Sequence, residues 1–295
     1  MKIVVSGSTG LIGSRLVPVL QARGDTVVRL VRGRHWDPER GTIDRNVFEG
    51  SDAVIHLAGE SVFGRLTETK KQRVRDSRVR GTRLVSDALV GLARPPKVLL
   101  AASAVGYYGD RGSQTLTEQS SPGHDFLAEV AREWEAATSG AARAGVRVVN
   151  MRFGIVLSPA GGALGKMLPP FRMGLGGPIA GGQQYVSWIE QSDLVHAIQH
   201  VLGRSDLAGP INLTAPNPVT NREFAATLGK VLGRPAIVPV PAFALRMAFG
   251  PDGAAMLQGG QRVLPERLVA SGFQFAFPTI EPALRHLLAP SDSAP

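Results

Sequence analysis

Gly7, Gly10 and Gly13 stand three apart in VVSGSTGLIGSRL, between a short β-rich run (KIVVS) and a helical one. The chemistry this spacing suits is pyrophosphate binding. One glycine permits the tight turn, another lets the backbone approach the phosphates, and the third allows the helix to pack closely on the sheet. The helix N-terminus then faces the anion with free N–H groups. Thr9, Leu11 and Ile12, in the same turn, are assigned to the same ligand. A purely structural glycine turn is the competing reading. The flanking strand and helix favour a dinucleotide.

The end of the second strand selects among dinucleotides. An acidic residue there would accept the ribose 2′-hydroxyl of NAD. LVRGR offers Arg32, with Arg34 nearby, and a guanidinium fork suits a 2′-phosphate. NADP is therefore the expected cofactor, against the plainer reading of Arg32 as a solvated strand-end residue. In HLAGE, Ala58 and Gly59 are small enough to leave room for the adenosine side. His56, inside an apolar strand, reads as packed and hydrogen-bonded rather than catalytic.

Other chemistries fit less well. His196 and His200 have the i, i+4 spacing of metal ligands, but HAIQH lacks a metalloprotease Glu and no third ligand is evident. No metal is expected. GGALGKM imitates a triphosphate loop, yet its glycine spacing is wrong and no Ser or Thr follows Lys166. A Gly-x-Ser-x-Gly nucleophile elbow is not found. Asp193 in EQSDLV reads as a structural cap or pair.

These residues need elements to hold them. The first half alternates strands (2–6, 26–31, 53–59, 97–103, 146–154) with helices (11–23, about 67–92, and 126 to about 144). Pro18 counts against an undisturbed first helix. The pattern implies an α/β Rossmann fold, a doubly wound parallel sheet, with a smaller C-terminal lobe. Residues 158–187 are rich in Gly and Pro and read as a long irregular loop that forms a site or lid. Then come a helix (191–203), a strand (INLTA, 211–215), a helix (221–233) capped by Thr220 or Asn221, and a strand in AIVPVP. The domain reading is 1–240 for the dinucleotide-binding domain, with 158–190 and 211–240 contributing to the substrate lobe. A small C-terminal domain follows over 241–290, with a tail over 291–295.

Composition narrows the classes. With no cysteine there are no disulfides, Cys-ligated zinc, iron–sulfur clusters or Cys nucleophiles. This fits a reducing compartment, and a cytoplasmic location is expected. No apolar stretch approaches the roughly 20 residues of a membrane span, and no membrane partner is expected. The net charge of +9 invites a nucleic-acid reading. Its two main clusters, RLVRGRHW and KKQRVRDSRVRGTR, lack interleaved aromatics, so a basic surface or phosphate-bearing small molecules are favoured over nucleic acid.

SGSTGLIGS, DAVIHLAG, GTRLV, AASAVGYYGD and MRFGIVLSP follow the motif order of the extended short-chain dehydrogenase/reductases, the sugar-nucleotide epimerase type. More closely, the chain resembles the atypical epimerase-like family 39U, the bacterial "epimerase family protein" group. GGALGKMLPPFRMGLGGPIAGG with SWI, and GGQRVLPERLVASGFQFAFP, look like its signatures, the last like its C-terminal domain of unknown function. The resemblance spans nearly the whole chain. It implies that Leu57 and Ala58 line the cofactor, that Arg78 is a further contact where extended relatives usually have Asn, and that Gly154 to Val156 lie near the nicotinamide.

In that superfamily a Ser after the fourth strand orients the substrate oxygen, a Tyr transfers its proton, and a Lys four residues later assists it. Ser103 stands in the Ser position, though a small residue at a strand end reads the same way. The helix from 126 has neither Tyr nor Lys; Phe126 and Val130 occupy the expected face. Tyr107 and Tyr108, close after Ser103, are the candidate substitutes, and Lys166 is a candidate charge. Two readings stay open. One is an NADP-dependent oxidoreductase or epimerase-like enzyme on a small polar, sugar-nucleotide-like substrate. The other is a catalytically silent NADP-binding sensor or interaction protein.

Overall fold

The computed structural model describes residues 1–289; the tail assigned to 291–295 lies outside the described residues. The first half runs β1 (Lys2–Ser6), α1 (Gly13–Ala22), β2 (Thr26–Leu30), β3 (Ala53–His56), α2 (Glu68–Ala88), β4 (Val98–Ala104), α3 (Phe126–Ala136) and β5 (Arg147–Phe153). Then follow β6 (Ile155–Leu157), α4 (Gly162–Arg172), β7 (Trp188–Glu190), α5 (Gln191–Gly203) and β8 (Gly209–Leu213). The last helices named here are α6 (Asn221–Leu232), α7 (Ala242–Gln258) and α8 (Ile280–Leu288).

The central sheet has six strands in the order β8-β5-β4-β3-β1-β2. Every pairing in it is parallel. Ile3, Val5, Ile55 and Leu100 pack under α1 and α5, while Val4, Val54 and Leu99 pack under α2. Both faces are covered, which is why the strands read as continuous apolar runs. After β2 the chain forms a short hairpin, Trp36–Asp37 against Thr42–Ile43, instead of another sheet strand. β3 then pairs with the opposite edge of β1. The direction of winding reverses between β1 and β3, so a crevice opens above their C-terminal ends, where ligands bind in such sheets.

Several elements differ from the sequence expectation. α1 continues through Pro18, because Leu16, Val17 and Leu20 are buried. Each such burial contributes roughly 1.5–3 kcal/mol, together more than the about 3 kcal/mol that a mid-helix proline costs. The single helix expected from 126 to about 144 breaks after Ala136 and resumes as a short turn, Ser139–Arg143. There the Thr138 hydroxyl donates to the Glu135 carbonyl, and Ser86 Oγ takes the Ala141 N–H. The Gly/Pro-rich stretch is not wholly irregular. It contains α4, whose Leu164, Leu168 and Phe171 form a stripe into a second core with Phe224, Leu228 and Leu284. AIVPVP forms no strand: Val240 makes one isolated bridge to Ile179. Pro239 and Pro241 have no N–H with which to extend a ladder. α6 opens with the expected cap, a reciprocal box between Thr220 and Glu223.

Candidate functional site

The glycine turn is built as its spacing requires. Gly7 sits at φ 66°, and a Cβ there would lie 2.8 Å from the Ala58 nitrogen and the Leu57 carbonyl carbon. A Cβ on Gly13 would sit on the Gly7 carbonyl oxygen. Both glycines therefore let the turn press against the end of β3 and the start of α1. Gly10 is looser and closes the turn by donating its N–H to the Gly7 carbonyl at 3.0 Å. The N–H groups of Leu11 and Ile12 make no hydrogen bond among the described residues. They are donors at the head of a helix, suited to a phosphate. Thr9 and Gly10 are exposed beside them.

Ser6, not singled out from sequence, ties the crevice together. Its hydroxyl accepts the Leu57 and Ala58 N–H groups at 3.1 and 3.3 Å and meets His56 Nδ1 at 2.6 Å. With both accepting positions used, the Ser6 proton goes to Nδ1, so His56 is neutral with its proton on Nε2. Burial pushes its pKa down to about 4. His56 is a packed residue, as expected.

Arg32 stands at the end of β2, half-exposed, with Nη2 donating to Glu39 at 2.6 Å. Arg78 lies under Gly59, whose hypothetical Cβ would be 3.7 Å from the guanidinium. Its Nη1 donates to the Glu60 carbonyl at 2.7 Å, and the group lies 4.9 Å from the Trp134 ring centroid. Burial lowers its pKa to about 10, with Glu60 opposing. It forms no ion pair among the described residues. Gly154 packs against Ser187 and Thr214, where a Cβ would lie 2.7 Å from the Ser187 carbonyl oxygen. The Val156 carbonyl faces Gly162, and Leu11 touches the Gly161–Gly162 start of α4. α4 thus begins beside the phosphate turn, and Gln191 at the head of α5 donates to the Leu11 carbonyl at 2.9 Å.

The catalytic candidates belong to a buried polar network. Arg152, an arginine within β5, makes two hydrogen bonds to Glu135 of α3, at 2.7 and 2.8 Å. Ser103 donates to the same carboxylate at 2.7 Å. Arg152 also donates to the Tyr108 hydroxyl at 2.9 Å, which in turn donates to Asn212 at 2.7 Å. Burial works against the Arg152 charge, yet Glu135 and Tyr108 hold its pKa above the usual range. Burial pushes the Tyr108 phenol up to about 12, although Arg152 and Asn212 pull the other way. Tyr107 differs. It is half-exposed, the Arg152 guanidinium lies 3.5 Å from its ring centroid, and its hydroxyl makes no hydrogen bond among the described residues.

On α3 the face beside this loop is shifted by one residue from the expected one. Val130 is buried, and Phe126 instead lies under Lys71 and Arg75. Leu127 approaches the loop, with its Cβ 3.6 Å from the position of a Cβ on Gly106. Four residues on stands Ala131, so the shifted face also has no proton donor and no cation. Glu135, Arg152 and Asn212 were missed from sequence. The available signal was an Arg inside a buried strand, which requires an acid partner. Lys166 lies 5.1 Å from the Phe63 ring centroid. Asp193 accepts the Ala276 and Phe277 N–H groups and is structural. No metal-holding group of His, Asp or Glu occurs among the described residues.

The C-terminal segment borders this site. Gly260 donates to Asp110 at 3.3 Å, the Ser187 hydroxyl donates to the Gln261 carbonyl and accepts from Val263, and Asn212 donates to the Leu264 carbonyl. An open groove of about 460 Å³, lined by Asp110, Arg246 and Gln258 among others, lies between this loop and α7.

Residues 3–213 match the NAD dependent epimerase/dehydratase family, and residues 240–287 match a domain of unknown function, DUF1731. An epimerase family protein of Mycobacterium bovis is 42% identical, with 96% of each chain covered. The human epimerase family protein SDR39U1 is 38% identical over 98% of this chain and all of that one. A crystal structure of the human protein with NADPH superposes with a TM-score of 0.88 at 36% identity, covering 97% of this chain and 99% of that one. A nucleoside-diphosphate sugar epimerase from Corynebacterium glutamicum gives a TM-score of 0.79 at 34% identity, covering 98% of this chain and 58% of that one.

Proposed function

The chain belongs to the NAD dependent epimerase/dehydratase family, and we propose that it is an NADP-dependent oxidoreductase or epimerase-like enzyme on a small polar, sugar-nucleotide-like substrate, using non-standard acid/base residues. The observation that carries this reading is a glycine turn with free N–H groups at the head of α1, on a sheet that also bears, just after β4, a tyrosine hydroxyl without a hydrogen bond among the described residues. Gly7, Gly10 and Gly13 admit the pyrophosphate to the free N–H groups of Leu11 and Ile12. Arg32 takes the 2′-phosphate and Arg78 is a second contact. Leu57, Ala58, Gly59, Gly154 and Val156 line the remainder. The NADPH in the human relative supports the choice of cofactor. When bound, NADP supplies or accepts the hydride.

The proton is assigned to Tyr107. The Tyr108 hydroxyl is held on both sides and its proton is hard to remove. Ser103 is a positioning residue in this scheme: with Glu135 it fixes Arg152, and Arg152 backs the Tyr107 ring.

The second reading, a silent NADP-binding sensor, is favoured by Leu127 and Ala131 on the face where the superfamily has its Tyr and Lys. Nicotinamide absorbance in a screen of carbonyl substrates separates the two. The enzyme reading expects turnover that falls by about 10²–10⁴ in Tyr107→Phe, with NADPH binding intact. Tight NADPH binding with no turnover across the screen establishes the silent reading instead.

A further inference from the structure

Of the eleven exposed large hydrophobic side chains among the described residues, six lie on two stretches of chain, 173–175 and 237–247: Met173, Leu175, Ile237, Val238, Phe243 and Met247. Ile237 is 81% exposed, Met247 74%, and Phe243 and Met173 67% each. The segments that carry them are neighbours. Val238 donates to the Gly176 carbonyl at 3.1 Å, and Val240 donates to the Pro178 carbonyl at 2.9 Å. A Cβ on Gly174 would lie 3.6 Å from Pro235. α7 starts at Ala242, directly after this pairing, and presents Phe243 and Met247 one turn apart.

The segments that carry these side chains bear one sign of charge, although Asp110 lines a groove with Arg246 and Asp252, farther along α7, pairs with Lys71. Residues 161–188 and 224–251 contain Lys166, Arg172, Lys230, Arg234 and Arg246 but no Asp or Glu. Lys230 pairs with Glu281 of α8. Arg172, Arg234 and Arg246 are exposed and form no ion pair among the described residues.

Exposed apolar side chains on segments that also carry unpaired cations mark an interaction surface. A second copy is a poor occupant. A two-fold contact sets each patch against itself, bringing like charges together. The charge calls for an anionic occupant. The side chains project from loop tips and one helix face, which suits entry into a fluid phase better than the seating of a fixed peptide. We propose that this face docks on the surface of an anionic lipid bilayer. Ile237, Phe243 and Met247 enter the headgroup boundary, and Arg172, Arg234 and Arg246 pair with lipid phosphates. Among the described residues no helix is long and apolar enough to cross a membrane. Surface docking needs none, so the expectation of no membrane partner, which rested on the lack of a span, does not bear on it. The proposal stands apart from the cofactor reading.

Co-sedimentation with lipid vesicles tests it. The full chain is expected to bind phosphatidylcholine vesicles containing phosphatidylglycerol, to ignore phosphatidylcholine alone, and to be released by salt. Ile237→Ser/Phe243→Ser/Met247→Ser is expected to lower binding at least about tenfold. Each of Arg172→Gln, Arg234→Gln and Arg246→Gln is expected to lower it about fivefold. Val269→Ser, at an exposed site elsewhere, is expected to leave binding unchanged. Circular dichroism checks that every variant is folded. The proposal is overturned if the intact protein ignores anionic vesicles or if the patch variants bind them as well as it does. It is equally overturned if the same variants abolish self-association or binding to polyglutamate while vesicle binding is absent.

Discussion

Arg32 and His56 show how one residue can be tested against its surroundings. Arg32 already holds Glu39 through one amino group, so a 2′-phosphate bound there, as proposed, would compete with that carboxylate. The exchange is cheap because the pair is exposed. On that proposal the phosphate would gain charge-assisted bonds of about 1.5–3 kcal/mol. Arg32→Ala is therefore expected to weaken NADPH by roughly 10–100-fold and NADH little, as measured by fluorescence titration. Equal losses would remove the 2′-phosphate from Arg32. His56 makes a different prediction, in pH. Its folded pKa of about 4 lies below the ordinary 6.5, so the unfolded chain takes up the proton first. The resulting stability is complete above about pH 6.5 and is lost as the pH falls toward about 4, by about 3 kcal/mol. Urea unfolding at intervals across that window should show a steeper decline in the intact protein than in His56→Asn. Parallel declines would mean that His56 is not the titrating group.

At the scale of elements, the sheet and its cradle were legible because their signals are local. The apolar strands, the glycine turn and the Thr220–Glu223 cap each lie within a few consecutive residues. The buried network was not legible. It joins Ser103, Tyr108, Glu135, Arg152 and Asn212 from β4, the loop after it, α3, β5 and β8, and no spacing in the sequence announces that meeting. α4 was hidden for another reason: Gly and Pro masked the stripe of Leu164, Leu168 and Phe171. Its start supplies an element-level test. Gly162 sits at φ 65°, and a Cβ there would lie 3.1 Å from Leu11 of the phosphate turn. Gly162→Ala is expected to cost about 1–3 kcal/mol in backbone strain and to weaken NADPH binding by pressing on Leu11. Calorimetry and nucleotide titration on one preparation check both effects. A loss of stability with unchanged nucleotide affinity would show that α4 does not support the turn.

At the scale of the molecule, the question is whether the C-terminal region unfolds by itself. Its sequence match begins at residue 240, which reads as a domain boundary. The contacts nonetheless tie this region to the rest of the chain. Ile280, Ala283 and Leu284 of α8 share a core with α4 and α6, and Val263 packs with Tyr108 and Leu116. Leu268 and Phe273 enter the main core beneath the sheet. The polar contacts run the same way. Glu118 accepts the Asn212 N–H at 3.0 Å and the Arg267 N–H at 3.4 Å, while Asp193 holds Ala276 and Phe277. A chain ending near residue 240 would leave these cores open and Asp193 without its partners, and a buried acceptor left unmet costs about 1–3 kcal/mol. The whole chain is therefore expected to unfold in one calorimetric transition, with van't Hoff and calorimetric enthalpies in agreement. NADPH should move the entire transition upward, because it binds only the folded form. The truncated chain should fail to give a cooperative transition. Two separable transitions, with only the earlier one indifferent to NADPH, would show that the C-terminal region is an independent unit and that its contacts do not fix the mouth of the site.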